Sequence, residues 1–196
     1  SACSGKVKGP NCPTEDGPDY DIGAAIVLTQ DSQGKDVLLA PQKSGVVHAV
    51  DPDTGKLRWQ AKVGRGGIHG GIHFGIAVSR GRAYIPISDA MDFRNHAEPA
   101  NPGLFAINID DGTSIWRAPM ADECREREYC DPGIGAAITA TSSLVFAGAL
   151  DGNLRIHDAA TGELLLKIDT TAPVVTVSGA TTSGGSMEGG TAPLPL

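Results

Sequence analysis

The sequence has 196 residues and a formal charge of −7, with 26 glycines, 13 prolines and only 5% aromatic residues. That is enough chain for one domain with a sizeable core, and so much Gly and Pro favours many short strands and turns over a helical bundle. The acidic balance argues against nucleic acid as the main partner, and no apolar run reaches the ~18 residues that would span a membrane.

In chain order, residues 1–22 form a Gly/Pro-rich lead-in segment with Cys3 and Cys12, ending in GPDYDIG with Asp19 and Asp21. The start at Ser1, without Met or a charged-then-apolar leader, is read as a removed signal or an internal fragment. The first unit, 23–64, shows strands after Gly23, at VLLA, at VVHAV and at LRWQAKV. Val47 and Ala49 fall on the face opposite His48. The hairpin turn Pro41-Gln42-Lys43-Ser44-Gly45 places a cation between two strands. GRGGIHGGIHFG follows, and its glycines let backbone approach something flat or charged. His69 and His73 stand four apart there, but a Gly-rich loop does not hold them on one helix face, so they are not read as a metal pair.

The second unit, 75–119, contains AYIPI, LFAIN and SIWRAP, interrupted by the insertion DAMDFRNHAEPANP. The charged loop ECREREYC, Cys124 to Cys130, leads to the third unit, 135–170, with LVFAG, LRIHD and LLLKI. Residues 185–196 read as the start of another unit. The register is set by one recurring turn. Asp51, Asn108 and Asp158 correspond, as do Gly55, Gly112 and Gly162, and Trp59, Trp116 and Leu166. In the first copy Pro52 presets φ, Asp53 and Thr54 can bond nearby backbone, and Gly55 can take φ > 0. Four antiparallel strands recurring about every 50–60 residues define an all-β fold of β-propeller blades. A lone blade cannot bury both faces, so neighbours must stack.

Four cysteines allow three connectivities, and neither local gap fits a zinc knuckle. Cys3–Cys12 with Cys124–Cys130 is the simplest, and such bridges would imply an oxidising compartment, periplasmic or secreted. Four free thiols in a cytosolic protein is the other reading. In a four-stranded meander the strand 2–3 links and the inter-blade links share one end, so the long loops, the cysteine pairs and Lys43 gather on one face. Long loops on a rigid scaffold commonly carry function.

The stretch Ala49–Trp59, AVDPDTGKLRW, resembles the blade signature of the pyrroloquinoline-quinone (PQQ) dehydrogenases, with likeness to the polyvinyl-alcohol dehydrogenase branch through NCPTEDGPDYDIGAA, GRGGIHGGIHFG and SGGSMEGGTAPLPL. The resemblance implies about three blades of an eight-bladed ring, with each Trp docking one blade on the next and with end faces left bare. It implies Asp19 as catalytic base and calcium ligand, with Pro18 standing where the family has Trp. It implies Lys43, with Gln42, beside the quinone oxygens, and Arg65, Gly66, Gly67, His73 and Phe74 near the cofactor. His73-Phe74 departs from the family's Asn-Trp or Glu-Trp. PQQ and Ca2+ are the implied cofactors, an alcohol the substrate and a cytochrome c the electron acceptor. A haem c domain is left open, since C-x-x-C-H is absent from this sequence. The chemistry suits the residues: a carboxylate can take the hydroxyl proton, and an ammonium stabilises charge developing on a quinone oxygen. Read singly, Asp19 is a turn cap and Lys43 an exposed hairpin lysine. A non-catalytic protein-binding propeller is the alternative.

Overall fold

The computed structural model describes residues 9, 10, 12, 17–92, 94–128 and 130–183. The 185–196 stretch expected to begin another blade lies outside the described residues. Three antiparallel meanders follow one another. The first runs β1 (Val27–Gln30), β2 (Asp36–Pro41), β3 (Val46–Val50) and β4 (Leu57–Lys62), paired in chain order. The second comprises β5 (Ala77–Ser79), β6 (Arg82–Ile87), β7 (Gly103–Asn108) and β8 (Ser114–Pro119). The third comprises β9 (Thr139–Ala140), β10 (Leu144–Gly148), β11 (Asn153–Asp158) and β12 (Leu164–Asp169). A hairpin of β13 (Pro173–Val175) and β14 (Thr181–Ser183) follows, where the sequence suggests only a loop. The β-branched residues Val174 and Val175 pair with Thr182 and Thr181 across a tight turn in which Gly179 takes φ +84°.

The three meanders repeat down to their irregularities. Each has a bulge between its third and fourth strands, at Ala49/Val50, Ala106/Ile107 and Ile156/His157. Past each bulge comes the recurring turn. In the first, the acceptor is the Asp51 carboxylate, not Asp53: its Oδ1 takes the N–H groups of Asp53 and Thr54 and the Thr54 hydroxyl. A side chain at the first turn position folds back over the following amides. Gly55 closes the turn at φ +69°.

Stacking buries two cores. Leu39, Val47 and Ala49 of the first meander meet Ile85, Phe105 and Ile107 of the second. On the other side Tyr84, Leu104 and Ala106 meet Val145, Ala147 and Ala159 of the third. The tryptophans lock these contacts. Trp59 Nε1 donates to the Ile109 carbonyl at 3.0 Å, and Trp116 Nε1 donates to Ala159 at 3.2 Å. Each indole lies on the turn glycine of the next meander: a Cβ on Gly112 would sit 2.6 Å from Trp59, and one on Gly162 2.5 Å from Trp116. Leu166, at the third such position, stays exposed, as does every residue of β12. These are stacked β-propeller blades.

Candidate functional site

The strand 2–3 links and the inter-blade loops lie at one end of the sheets. There the turn after β2 holds Lys43 by its backbone in two directions. Its N–H donates to the Asp21 carbonyl at 3.1 Å, and its own carbonyl accepts from Gly67 at 3.1 Å and Gly71 at 2.8 Å. The side chain is only 13% exposed, so it is no free hairpin lysine. Nζ lies 2.9 Å from Asp21 and 3.9 Å from Asp19. The sequence pairs Lys43 with Asp19, whereas the structure brings both carboxylates to it and gives Asp21 the shorter contact. The hydrogen bond from Lys43 is the main reason the Asp21 carboxyl sits below the usual range.

Asp19 stands at φ +61°, a left-handed conformation that Asp tolerates better than most residues. The Arg94 guanidinium, from the insertion in the second meander, donates to the Pro18 carbonyl and braces this bend. Gly23 lets His73 approach. A Cβ there would lie 3.1 Å from the His73 carbonyl oxygen and 3.6 Å from Lys43 Cε. Burial first, and the Lys43 charge second, hold His73 below its ordinary pKa, so its imidazole is neutral at pH 7. Its ring stacks on Phe74, centroids 4.1 Å apart, and Phe74 presents its other side to solvent. Asp19, Asp21, Lys43, His73 and Phe74 therefore form one cluster.

The remaining sequence-nominated residues are placed as supports. Gln42 Oε1 accepts from the Ser44 hydroxyl at 2.7 Å and faces His48 Nε2 at 3.2 Å. The Arg65 guanidinium donates to the carbonyls of Gly66, Asp89 and Ala90. Gly66, at φ +91°, has no room for a Cβ, which would lie 2.5 Å from the Ser44 carbonyl oxygen. At Gly67 a Cβ would lie 2.7 Å from Asp92. So what these two glycines let come close is the chain's own hairpin and insertion.

Sequence reading missed the two buried carboxylates behind this loop. Asp89 accepts from the N–H groups of Arg65, Gly66 and Asn101. Asp92 accepts from Ile68 N–H, Arg94 N–H and the His96 ring at 2.7 Å. Burial alone would raise Asp92, but these donors prevail and bring it to about 2. The only available signal was an Asp-rich insertion with a His four residues on. Beside it a cleft of ≈ 440 Å³ opens, walled by Arg65, Asp89, Met91, Met120 and Asp131. Burial, with Asp122 nearby, pushes Asp131 upward. The Cys124–Cys130 disulfide closes the adjoining loop. Cys12 is also disulfide-bonded, while Cys3 lies outside the described residues.

A planar quinone fits the donor set of a little-exposed ammonium beside an exposed aromatic face. For a metal, no group of three or more His, Cys, Asp or Glu converges among the described residues. Asp19 can supply one carboxylate, while Asp21, the other carboxylate of the cluster, is held by Lys43 at 2.9 Å.

Blade geometry and docked tryptophans make this a chain of PQQ-type β-propeller blades. A family model described as "Outer membrane protein assembly factor BamB" matches residues 20–86. The chain is 36% identical over 183 residues to a polyvinylalcohol dehydrogenase of Pseudomonas sp, covering 91% of this chain and 28% of that protein. It is 38% identical over 184 residues to the polyvinylalcohol dehydrogenase of Sphingopyxis sp. (strain 113P3), with the same coverage. The chain thus spans under a third of these relatives' length. Among solved structures, the quinohemoprotein alcohol dehydrogenase of Comamonas testosteroni shares the fold, with TM-score 0.56, 16% identity, and coverage of 82% of this chain and 34% of that one.

Proposed function

We propose that this chain forms part of a PQQ-dependent alcohol dehydrogenase that oxidises a secondary alcohol, polyvinyl alcohol being the substrate its relatives' names suggest. The observation that carries the reading is the convergence of Asp19 and Lys43, nominated 24 positions apart, to 3.9 Å on the loop face. When bound, the quinone accepts the hydride equivalent of an alcohol. Lys43 would hold the quinone oxygens and stabilise charge developing there. Asp19 would receive the hydroxyl proton and supply one calcium ligand. Asp21 would share the Lys43 charge and keep the ammonium directed along the loop face. Gln42 and Arg65 would fix the two loops, and His73 with Phe74 would offer a flat wall. The disulfide supports a periplasmic or secreted location, and a cytochrome c fits as acceptor.

The test is a titration of PQQ with Ca2+ followed by quinone absorbance. Binding is expected, weakened at least tenfold by Lys43→Ala. In a protein of its relatives' full length, Asp19→Asn should bind PQQ yet lose alcohol-dependent dye reduction by about 10²-fold or more, the scale of a lost general base. Unchanged turnover in Asp19→Asn would remove it as the base.

The second reading is a non-catalytic scaffold. What favours it is the family-model match over residues 20–86 together with the 2.9 Å Asp21 contact, which occupies Lys43 without any ligand. A quinone spectrum unmoved by the protein would favour this reading instead.

A further inference from the structure

The loop that enters the third blade carries a carboxylate that the repeat does not require. The Gly71 carbonyl accepts from Ser88 N–H, and the Gly133 carbonyl accepts from Leu150 N–H, so the two inter-blade links are in register. Asp131 then stands where the preceding link has His69, each two residues before its glycine. The first interface closes without an acid at this place. Asp131 is half-buried and forms no hydrogen bond or ion pair among the described residues. Burial first, and the Asp122 charge second, act against its ionised form, and His69 acts for it. A half-buried carboxylate without a donor is costly, and an arriving cation would relieve both penalties.

Asp131 walls the ≈ 440 Å³ cleft beside the insertion. Its surroundings are held firmly. The Pro102 carbonyl accepts from Met120 N–H at 2.9 Å, the Ile87 carbonyl accepts from Ile134 N–H at 3.0 Å, and the Cys124–Cys130 disulfide closes the loop just before Asp131. Gly133, at φ +136°, lets this loop press on the second blade, since a Cβ there would lie 2.4 Å from the Ser88 carbonyl oxygen. Asp122 Oδ1 accepts from Cys124 N–H at 2.9 Å. The other charged walls answer each other. The Arg65 guanidinium is engaged by three carbonyls, and the Asp89 carboxylate by three N–H groups. That leaves Asp122 and Asp131 without a cation. Met91, Met120, Pro102 and Pro132 supply apolar wall, and Met91 is 66% exposed, so the cleft is open to solvent.

We infer that this cleft binds a primary alkylammonium, a small aliphatic amine whose –NH3+ donates to Asp131, with Asp122 beside it, while its chain lies against Met91 and Met120. An ammonium brings both the charge and the donors that Asp131 lacks. A bare divalent ion suits the place less, because no three His, Cys, Asp or Glu converge among the described residues and the methionine and proline walls favour hydrocarbon. The volume lies at the lower end of small-molecule sites. None of these four residues belongs to the Asp19–Lys43 cluster, and the inference holds whether or not the protein binds a quinone.

The test uses the full chain with ¹³C-methyl-labelled methionine, titrated with pentan-1-amine hydrochloride at neutral pH and constant ionic strength. The Met91 and Met120 methyl resonances should shift saturably. Pentan-1-ol, of the same length without the charge, should leave them in place. Methylammonium, with the charge but no chain, should bind about tenfold more weakly or worse. Asp131→Asn keeps the side-chain shape and breaks no hydrogen bond among the described residues. It should weaken amine binding about tenfold or more, the scale of a lost charge-assisted hydrogen bond, while Trp116 emission stays native. Met91→Lys, at an exposed position, sets a competing ammonium at the cleft and should weaken binding likewise. Equal responses to amine and alcohol, or affinity retained in Asp131→Asn, would overturn the assignment. So would methyl shifts that never saturate, which attraction to an acidic surface alone would give.

Discussion

At the scale of single residues, the loop face is organised by carboxylates whose donors outnumber what burial costs them. Asp92 is the clearest case, with Ile68, Arg94 and His96 all donating to it. Its folded pKa of about 2 is depressed from the ordinary 3.8. A depressed carboxyl contributes stability that is fully present above its unfolded pKa and is lost as pH falls through the folded value. Acid unfolding should therefore steepen between about pH 4 and 2, with Asp51, also near 2 through Thr54 and Arg58, acting in the same window. Asp92→Asn should flatten part of that slope in a urea-melt series, and an unchanged slope would remove Asp92 from this role. Asp92 was not legible in the sequence, because its partners come from three loop positions that only the fold assembles. Lys43 was nominated by resemblance; its hairpin context alone suggested an exposed lysine, whereas its side chain is 13% exposed. Its preference for Asp21 was not legible either, since two residues of separation along an irregular segment do not say which carboxylate turns inward.

At the scale of the element, the recurring turn was readable almost completely. The glycines had to follow an acidic or amide residue by four positions, and each takes φ near +70° to +80°. What the sequence left open was which side chain would bond the turn amides, and which glycine would lie beneath an indole. The structure separates those roles. A Cβ added at Gly55, where φ is +69°, would meet nothing within 4 Å, while Gly112, at φ +73°, lies under Trp59. Both alanine substitutions meet the same left-handed strain, of order 1–2 kcal/mol. Only Gly112→Ala also displaces an indole, at a further ~1–3 kcal/mol. Chemical denaturation should show Gly112→Ala as the more destabilised by about that margin, with the Trp59 emission shifted to the red. Equal losses would mean that the tryptophan contributes little to docking.

At the scale of the whole molecule, the repeat has a consequence that no single blade shows. Each blade offers one face to its predecessor and one to its successor, so the two outermost faces are complementary by construction. The third blade turns Phe146, Ile156 and Leu166, cross-strand neighbours, away from the second. The first turns Leu28, Leu38, Val50 and Leu57 away likewise, with Leu28 and Leu57 more than half exposed. Such surfaces joined head to tail make a heterologous contact, which grows rather than closing as a two-fold dimer does. Exposed apolar patches of this kind drive association, and the exposed edge β12 adds unpaired backbone groups. Sedimentation velocity of the chain should then show a weight-average mass that rises steadily with concentration. Leu166→Lys places a charge at the position where the other two blades hold a docking tryptophan, and should shift the association midpoint at least tenfold upward. A mass that stays monomeric across the range would mean that these faces are covered by residues outside those described, and association that is indifferent to Leu166→Lys would place the contact elsewhere than the blade face.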